Sequence, residues 1–387
     1  MTVPTVLIAS DKFKGSLTAA EVAEAVGAGV RRVHPDAEVR AVPVADGGDG
    51  TLAAAVAAGY AEVPVTAAGP TGEPVRTRYA RRGDVAVVEM ADVSGLVRLP
   101  GGRLAPMTAT SRGTGELVAA AVRAGCRQVV LGIGGSACTD GGAGMVQALG
   151  ARLLDGTGTD LGQGGGCLPA LASVDLTDLR ELMAGVAVTV ACDVDNPLTG
   201  PTGAAAVYGP QKGAGPEQVP ALDAALTHLA DLVAAATGRD HRDDPGAGAA
   251  GGIGFAALAM LDAELRPGID LVLDLVGFHD RLDGSDLVVT GEGALDVQTL
   301  HGKAPAGVAA AARDRGIPVV AVCGHNTLGT DQLDAAGIRA AYALTDIEPD
   351  VRRCMSDGAR LLTTLGERIA TEHLTPHDTA TAGRTTP

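Results

Sequence analysis

Short apolar runs rich in β-branched residues alternate along this chain with longer, Ala-rich stretches of helical period. The first run, Val3–Ala9, predicts a strand, and Thr18–Val33 predicts a helix opened by a capping box of Thr18 and Glu21. Glu38–Val44 predicts a second strand and Thr51–Ala58 a second helix. Val75–Arg81 and Val85–Met90 lie so close together that they predict an antiparallel hairpin, a break in the alternation. Helices are predicted over Gly115–Ala124, Ala143–Leu149, Pro216–Ala236 and Ala256–Leu265, and strands over Gln128–Leu131 and Gly185–Ala191. Strand–helix alternation returns with Asp286–Thr290, Pro305–Arg315, Pro318–Cys323 and Asp331–Ala336. Parallel strands need a crossover, usually helical, so the rhythm predicts an α/β protein with largely parallel sheets.

A chain of 387 residues suggests two domains. The hairpin interrupts the alternation, which resumes near the C-terminus, so the simplest division is discontinuous. Residues 1–68 and 283–370 form one doubly wound domain, and 69–282 form a mixed α/β insertion. The turn-rich segment AAGPTGEP, Ala67–Pro74, marks the first boundary. Residues 371–387 are polar and Thr-rich, with no large apolar residue after Leu374, and are expected to be a disordered tail.

Composition narrows the function. The chain is 46% hydrophobic, which affords a large core, yet it has four Tyr, three Phe and no Trp. The core must therefore be aliphatic, and 55 glycines imply many close backbone approaches. The net charge of −16 and the lack of a basic stripe argue against nucleic-acid binding. No basic leader precedes the first apolar run, and no long uncharged apolar stretch predicts a membrane span. Six cysteines without CxxC or zinc spacing are expected to be reduced thiols in a cytoplasmic protein. Lysine occurs only at 12, 14, 212 and 303, in the glycine-containing segments DKFKGS, QKGAG and LHGKAP, and every other basic residue is arginine. A compact ammonium is hard to replace by a guanidinium where an anion sits in a tight pocket.

Polar loops cluster at predicted strand ends, where open α/β sheets bind ligands. They include Ser10–Ser16, Ala45–Thr51, Gly132–Gly142, Cys192–Leu198 and Gly291–Asp296. Glycine-rich backbone with lysine suits phosphate, and carboxylates with Asn196 suit Mg²⁺ or a hydroxylic substrate. A Walker-type loop, an HExxH zinc motif and a GxSxG elbow are all absent from the sequence.

Eight segments in collinear order, among them DKFKGSLTAAEVAEAVGAG, PVADGGDGT, TSRGTGEL, GIGGSACTDGGAGM, ACDVDNPLTGPTGA, YGPQKGA, GAAGGIG and DLVVTGEGALDVQTLHGKAP, together resemble the bacterial class I glycerate kinase family. The resemblance runs from about residue 5 to about residue 365. It implies a flavodoxin-like domain built from both chain ends, an inserted α/β domain, and an enzyme that phosphorylates D-glycerate with ATP and Mg²⁺ in the interdomain cleft, the 2-hydroxyl slightly preferred. On chemical grounds, Asp193 or Asp46 is the base, while Lys12 and Lys14 contact anionic oxygens. Ser111, Arg112, Gly134, Gly135, Ser136, Asp140, Asn196, Lys212 and Lys303 are candidates to bind substrate or phosphate, and Glu292 and Asp296 to hold Mg²⁺ or the ribose. Such a split site implies domains that close on their substrates, and the oligomeric state, monomer or homodimer, stays open. Two rivals stand beside this reading. An oxidoreductase would use the glycine loops for NAD with Asp155 reading the ribose, and a non-catalytic protein would bind small acids without turnover.

Overall fold

The computed structural model describes residues 3–300 and 302–374. The chain divides into two compact units, Met1–Val44 with Gly277–Pro387, and Ala45–Val276. In the first, five strands form one parallel sheet in the order Ala340–Ala343, Val319–Asn326, Leu287–Leu295, Thr5–Ser10, Glu38–Ala41. Numbered along this unit, that is 5-4-3-1-2, the flavodoxin-like order, with its switch point between Thr5–Ser10 and Leu287–Leu295. The capping box forms as expected: Thr18 Oγ1 accepts the Glu21 N–H at 3.2 Å, and Glu21 accepts the Thr18 N–H at 2.8 Å. The helix it opens, Ala19–Val33, packs on the C-terminal helix Gly358–His373 so closely that a Cβ on Gly29 would lie 2.1 Å from the Thr363 carbonyl oxygen. That helix includes the start of the segment expected to be a disordered tail, and its buried Leu361, Leu365 and Ile369 are the reason it is ordered there. The rest of that segment, residues 375–387, lies outside the described residues.

The second unit carries a six-stranded mixed sheet in the order Glu264–Arg266, Ala187–Ala191, Gln128–Gly132, Val85–Glu89, Pro74–Arg82, Ala61–Ala68. The predicted hairpin is present, Pro74–Arg82 and Val85–Glu89 pairing antiparallel, and the sheet turns parallel from Val85–Glu89 onward. The first crossing between units falls after Val44 rather than near residue 68, because two segments belong to this sheet. Ala61–Ala68 pairs residue for residue with Pro74–Arg82, and Leu52 and Ala55 of the helix Thr51–Ala57 pack against Ala80, Val87 and Val130. Sequence reading missed Ala61–Ala68 since its run holds Pro64, a residue tolerated at a sheet edge. The second crossing comes before Gly277, earlier than residue 283.

The helix expected over Ala256–Leu265 instead starts at Ala249 and ends at Leu261, and Glu264–Arg266 becomes a strand. Its opening turn, Ala250-Gly251-Gly252, is left-handed, with φ of 54°, 74° and 94°, which masks the helical period. The helix Gln218–Thr237 has the length and apolarity to cross a membrane, but its Leu222, Leu226, Leu229 and Val233 are buried in the unit's own aliphatic core. All six cysteines are free thiols.

Candidate functional site

Within the inserted unit, the loops after Gln128–Gly132 and Ala187–Ala191 meet the ADGGDG loop around a cavity of about 240 Å³. Asp46, Gly134, Gly135, Ser136, Asp193 and Lys212 all line it. Sequence reading had drawn these six from four segments spread over more than 150 residues.

The Asp193 carboxylate accepts the Gly268 N–H at 2.8 Å, at the first residue of the helix Gly268–Leu275. It opens to solvent, yet the protein packed round it removes enough water to push its pKa up, and the charges of Asp46 and Asp270 push the same way. The Gly268 N–H partly opposes them. Asp46 accepts the Gly48 N–H at 3.2 Å, which holds its loop in a tight turn. Gly268 links the two acidic loops: its N–H reaches the Asp193 side chain, and a Cβ on it would sit 2.0 Å from the Asp46 carbonyl oxygen. Replacing Gly268 by Ala must push the loops apart. We expect a destabilisation of about 1–3 kcal/mol or more, measured by urea unfolding, with a matching loss of activity.

Lys212 is the second feature of the cavity. Only 1% of it is exposed. Its ammonium donates to Ser136 Oγ at 2.7 Å and to the Cys138 carbonyl at 2.6 Å, so it ties the glycine-rich loop down. Burial pushes its pKa down, while the neighbouring Cys138 and Asp140 act the other way. Tyr208 and Gln211 also line the cavity.

Four further candidates of the inserted unit, Ser111, Arg112, Asp140 and Asn196, lie outside the lining of this cavity and bond within the protein. Asp140 is fully buried and accepts from the Ser111 N–H at 2.8 Å, the Ser111 hydroxyl at 2.9 Å and the Gly142 N–H at 3.1 Å. Ser111 Oγ in turn accepts the Met145 N–H. This brace orders the loop from beneath, and neither residue lines the cavity. Arg112 is ion-paired to Glu116 at 2.9 Å, one helical turn on. Asn196 donates to the Thr202 carbonyl and accepts from Tyr208 Oη at 2.6 Å, so it positions a lining residue. Asp155 accepts from the Thr157 and Thr159 N–H groups in its own turn. That turn function accounts for it without a ribose.

In the terminal unit, the DKFKGS and GEGALD loops meet at the switch point. The Asp11 N–H donates to the Gly291 carbonyl at 2.8 Å, and a Cβ on Gly293 would lie 3.5 Å from the Lys14 backbone nitrogen. The Lys12 N–H donates to Asp11 Oδ1. Lys303 immediately precedes the helix Ala304–Arg313, with its ammonium 4.0 Å from Glu292. Glu292 accepts the Thr299 hydroxyl, and Asp296 accepts the Gln298 and Thr299 N–H groups at 2.8 and 3.3 Å. Both carboxylates thus order their own loop. Among the described residues no group of three or more His, Cys, Asp and Glu is arranged to hold a metal. Mg²⁺ is usually held by one or two carboxylates together with substrate phosphates, and Glu292 and Asp296 are two carboxylates of one loop that could share such an ion with a nucleotide. If Lys14 clamps an anion, Lys14→Arg should be nearly as harmful as Lys14→Ala, each lowering turnover by roughly 10²–10³-fold in steady-state assays.

Sequence reading did not single out Gly268 or Tyr208. Gly268 is 75 residues from Asp193 and carries no side chain to draw the eye. Tyr208 lies in the quoted segment YGPQKGA, where the neighbouring lysine drew the attention.

Known proteins resemble this chain in sequence and fold. The profile described as the glycerate kinase family matches residues 6–374. A protein of Bacillus subtilis (strain 168) named glycerate kinase is 48% identical over 88% of this chain and 90% of its own length. One of Escherichia coli (strain K12) named glycerate 2-kinase is 44% identical over 88% of this chain and 90% of its own. A crystal structure assigned as glycerate kinase 2 from Salmonella typhimurium LT2 superposes with a TM-score of 0.85 at 43% identity, covering 96% of this chain and 98% of that one. The collinear loops, the flavodoxin-like sheet with its insertion and these matches lead to one conclusion: the chain is an enzyme of the glycerate kinase family.

Proposed function

We propose that this enzyme is of the class I type and transfers the γ-phosphoryl group of ATP to the 2-hydroxyl of D-glycerate. The observation that carries this reading is Asp193. It is a carboxylate at the mouth of a glycine-lined cavity, with its pKa raised towards the range of a working general base. Asp46 is the charge beside it that helps to raise that pKa. In the reaction, Asp193 takes the proton of the attacking hydroxyl. The new bond forms from that oxygen to the γ-phosphorus, the bond from phosphorus to the bridging oxygen breaks, and ADP leaves with the electron pair. Lys212 and the loop Gly134–Ser136 face the cavity that receives the reacting groups, and Lys12, Lys14 and Lys303 hold anionic oxygens of phosphate or of the glycerate carboxylate. The 2-hydroxyl is preferred because a relative carries the name glycerate 2-kinase. Mg²⁺ enters as the ion that the nucleotide brings on its phosphates.

The test is ADP release from ATP with D-glycerate, with L-glycerate as control, and identification of the product by phosphorus NMR. Turnover specific to the D-isomer that yields 2-phosphoglycerate is expected. Absence of ADP release defeats the activity, and a 3-phospho product defeats the regiochemistry.

A further inference from the structure

A second, larger cavity lies in the inserted unit, formed where the helices Thr177–Leu182, Gln218–Thr237 and Ala249–Leu261 end. Its volume is about 390 Å³, within the range of small-molecule sites. Its lining is amphipathic in an ordered way. Leu179, Met183, Met260 and Leu261 are buried and supply an apolar floor. Arg180 and Arg239 stand on its exposed side.

These two arginines differ from most others in the chain. Arg32, Arg40, Arg78, Arg98, Arg152 and Arg242, among others, pair with carboxylates. Among the described residues, neither Arg180 nor Arg239 makes a side-chain hydrogen bond or ion pair. Asp175 lies near enough to Arg180 for their charges to interact, but no carboxylate among the described residues is bonded to either guanidinium, and in a protein with a net charge of −16 two such groups at one cavity form a local positive field. The other charged groups of the lining are His241, held by Asp244 at 2.7 Å, and Asp262. Neither Asp262 nor Asp175 is bonded to a guanidinium, so the donor groups of both arginines stay available to a ligand. A planar guanidinium favours a carboxylate or phosphate, which it can grip with two parallel bonds.

We propose that this cavity is a binding site for a small organic oxyanion, a carboxylate or phosphate head on an apolar body, separate from the cavity that holds Asp46, Asp193 and Lys212. The head pairs with Arg180 and Arg239, and the body covers the Leu179, Met183, Met260 and Leu261 floor.

Isothermal titration of the full-length enzyme tests this, with ATP analogue and D-glycerate saturating so that other anion sites are filled. The probes are 3-phenylpropanoate, phenyl phosphate and the uncharged 3-phenylpropanol. One saturable site for at least one anion is expected, with the alcohol weaker by about tenfold or more. The stronger of the two anions identifies the head group. The double variant Arg180→Gln/Arg239→Gln should weaken the anion by about tenfold or more while kcat and KM for glycerate stay unchanged. Both side chains are exposed, so the variant should fold, and circular dichroism checks that it has. The proposal is overturned if neither anion saturates below roughly 10 mM. It is equally overturned if the alcohol binds as well as the anions or the double variant keeps its affinity.

Discussion

Asp193→Asn is expected to lower kcat by roughly 10²–10⁴-fold while the KM for ATP stays near the wild-type value. The amide oxygen can still accept the Gly268 N–H, so the loop keeps its shape and the variant should fold. The loss is then chemical. The pH profile adds a test that a structural role would not reproduce. Burial, with the charges of Asp46 and Asp270, raises the Asp193 pKa above that of an ordinary Asp. A base must be deprotonated, so kcat/KM should fall as pH drops through that raised value, at a higher pH than an unperturbed aspartate would give. Asp46→Asn removes one of the charges responsible and should move this acid limb to lower pH. For stability the sign is the reverse of a salt-bridged carboxylate. The folded state holds the proton more tightly than the unfolded state, so stability falls as pH rises from the unfolded pKa to the raised folded one. Above that window wild type carries a small penalty that Asp193→Asn lacks, and thermal unfolding at neutral pH should show a Tm equal to or slightly above wild type. An unchanged kcat in Asp193→Asn would transfer the role of base to another group.

Much of the candidate site was legible because its residues sit in contiguous loops. Asp46, Gly134, Gly135, Ser136 and Asp193 were marked by a carboxylate or a glycine run at a predicted strand end and Lys212 by the rarity of lysine, and all six line one cavity. What the sequence hid were partnerships across long separations. Ser111 and Asp140 looked like ligand groups because hydroxyls and acids beside glycines suit phosphate chemistry. Nothing local revealed that they are buried against each other, 29 residues apart. Asp296 is ambiguous in a different way, since an Asp that caps a turn and an Asp that holds a metal have the same neighbours. At the level of the fold, regular alternation was readable. The domain crossing was misplaced because Ala61–Ala68 is a sheet-edge strand whose alternation is broken by Pro64, and the helix Thr51–Ala57 before it owes its allegiance to packing against Val87 and Val130.

Lys212→Met carries the second large effect expected. A buried ammonium is costly to desolvate, and a methionine of similar length fills the same volume without that cost. Ser136 Oγ and the Cys138 carbonyl each lose a donor, which works in the opposite direction. These terms oppose each other, so the stability change should be modest, below about 2 kcal/mol by urea unfolding. Activity should fall by roughly 10²–10³-fold, because the ammonium is the buried positive charge on the cavity that holds Asp193, and the loop it ties, Gly134–Ser136, forms the cavity wall. Ser136→Ala, which removes one of the two acceptors and keeps the charge, should retain most of the rate. Lys212→Arg should fail differently: a guanidinium overpacks a site that is only 1% exposed, and stability should drop by about 1–3 kcal/mol. The pH dependence separates charge from packing. Burial pushes the Lys212 pKa down, so between that folded value and the unfolded one the unfolded chain binds more protons and stability rises with pH. Activity, which needs the charged form, should fall in the same window. Lys212→Met should lose both the alkaline rise in stability and the alkaline limb of kcat. A methionine variant that kept near-wild-type turnover would reduce Lys212 to a brace for the loop after Gln128–Gly132.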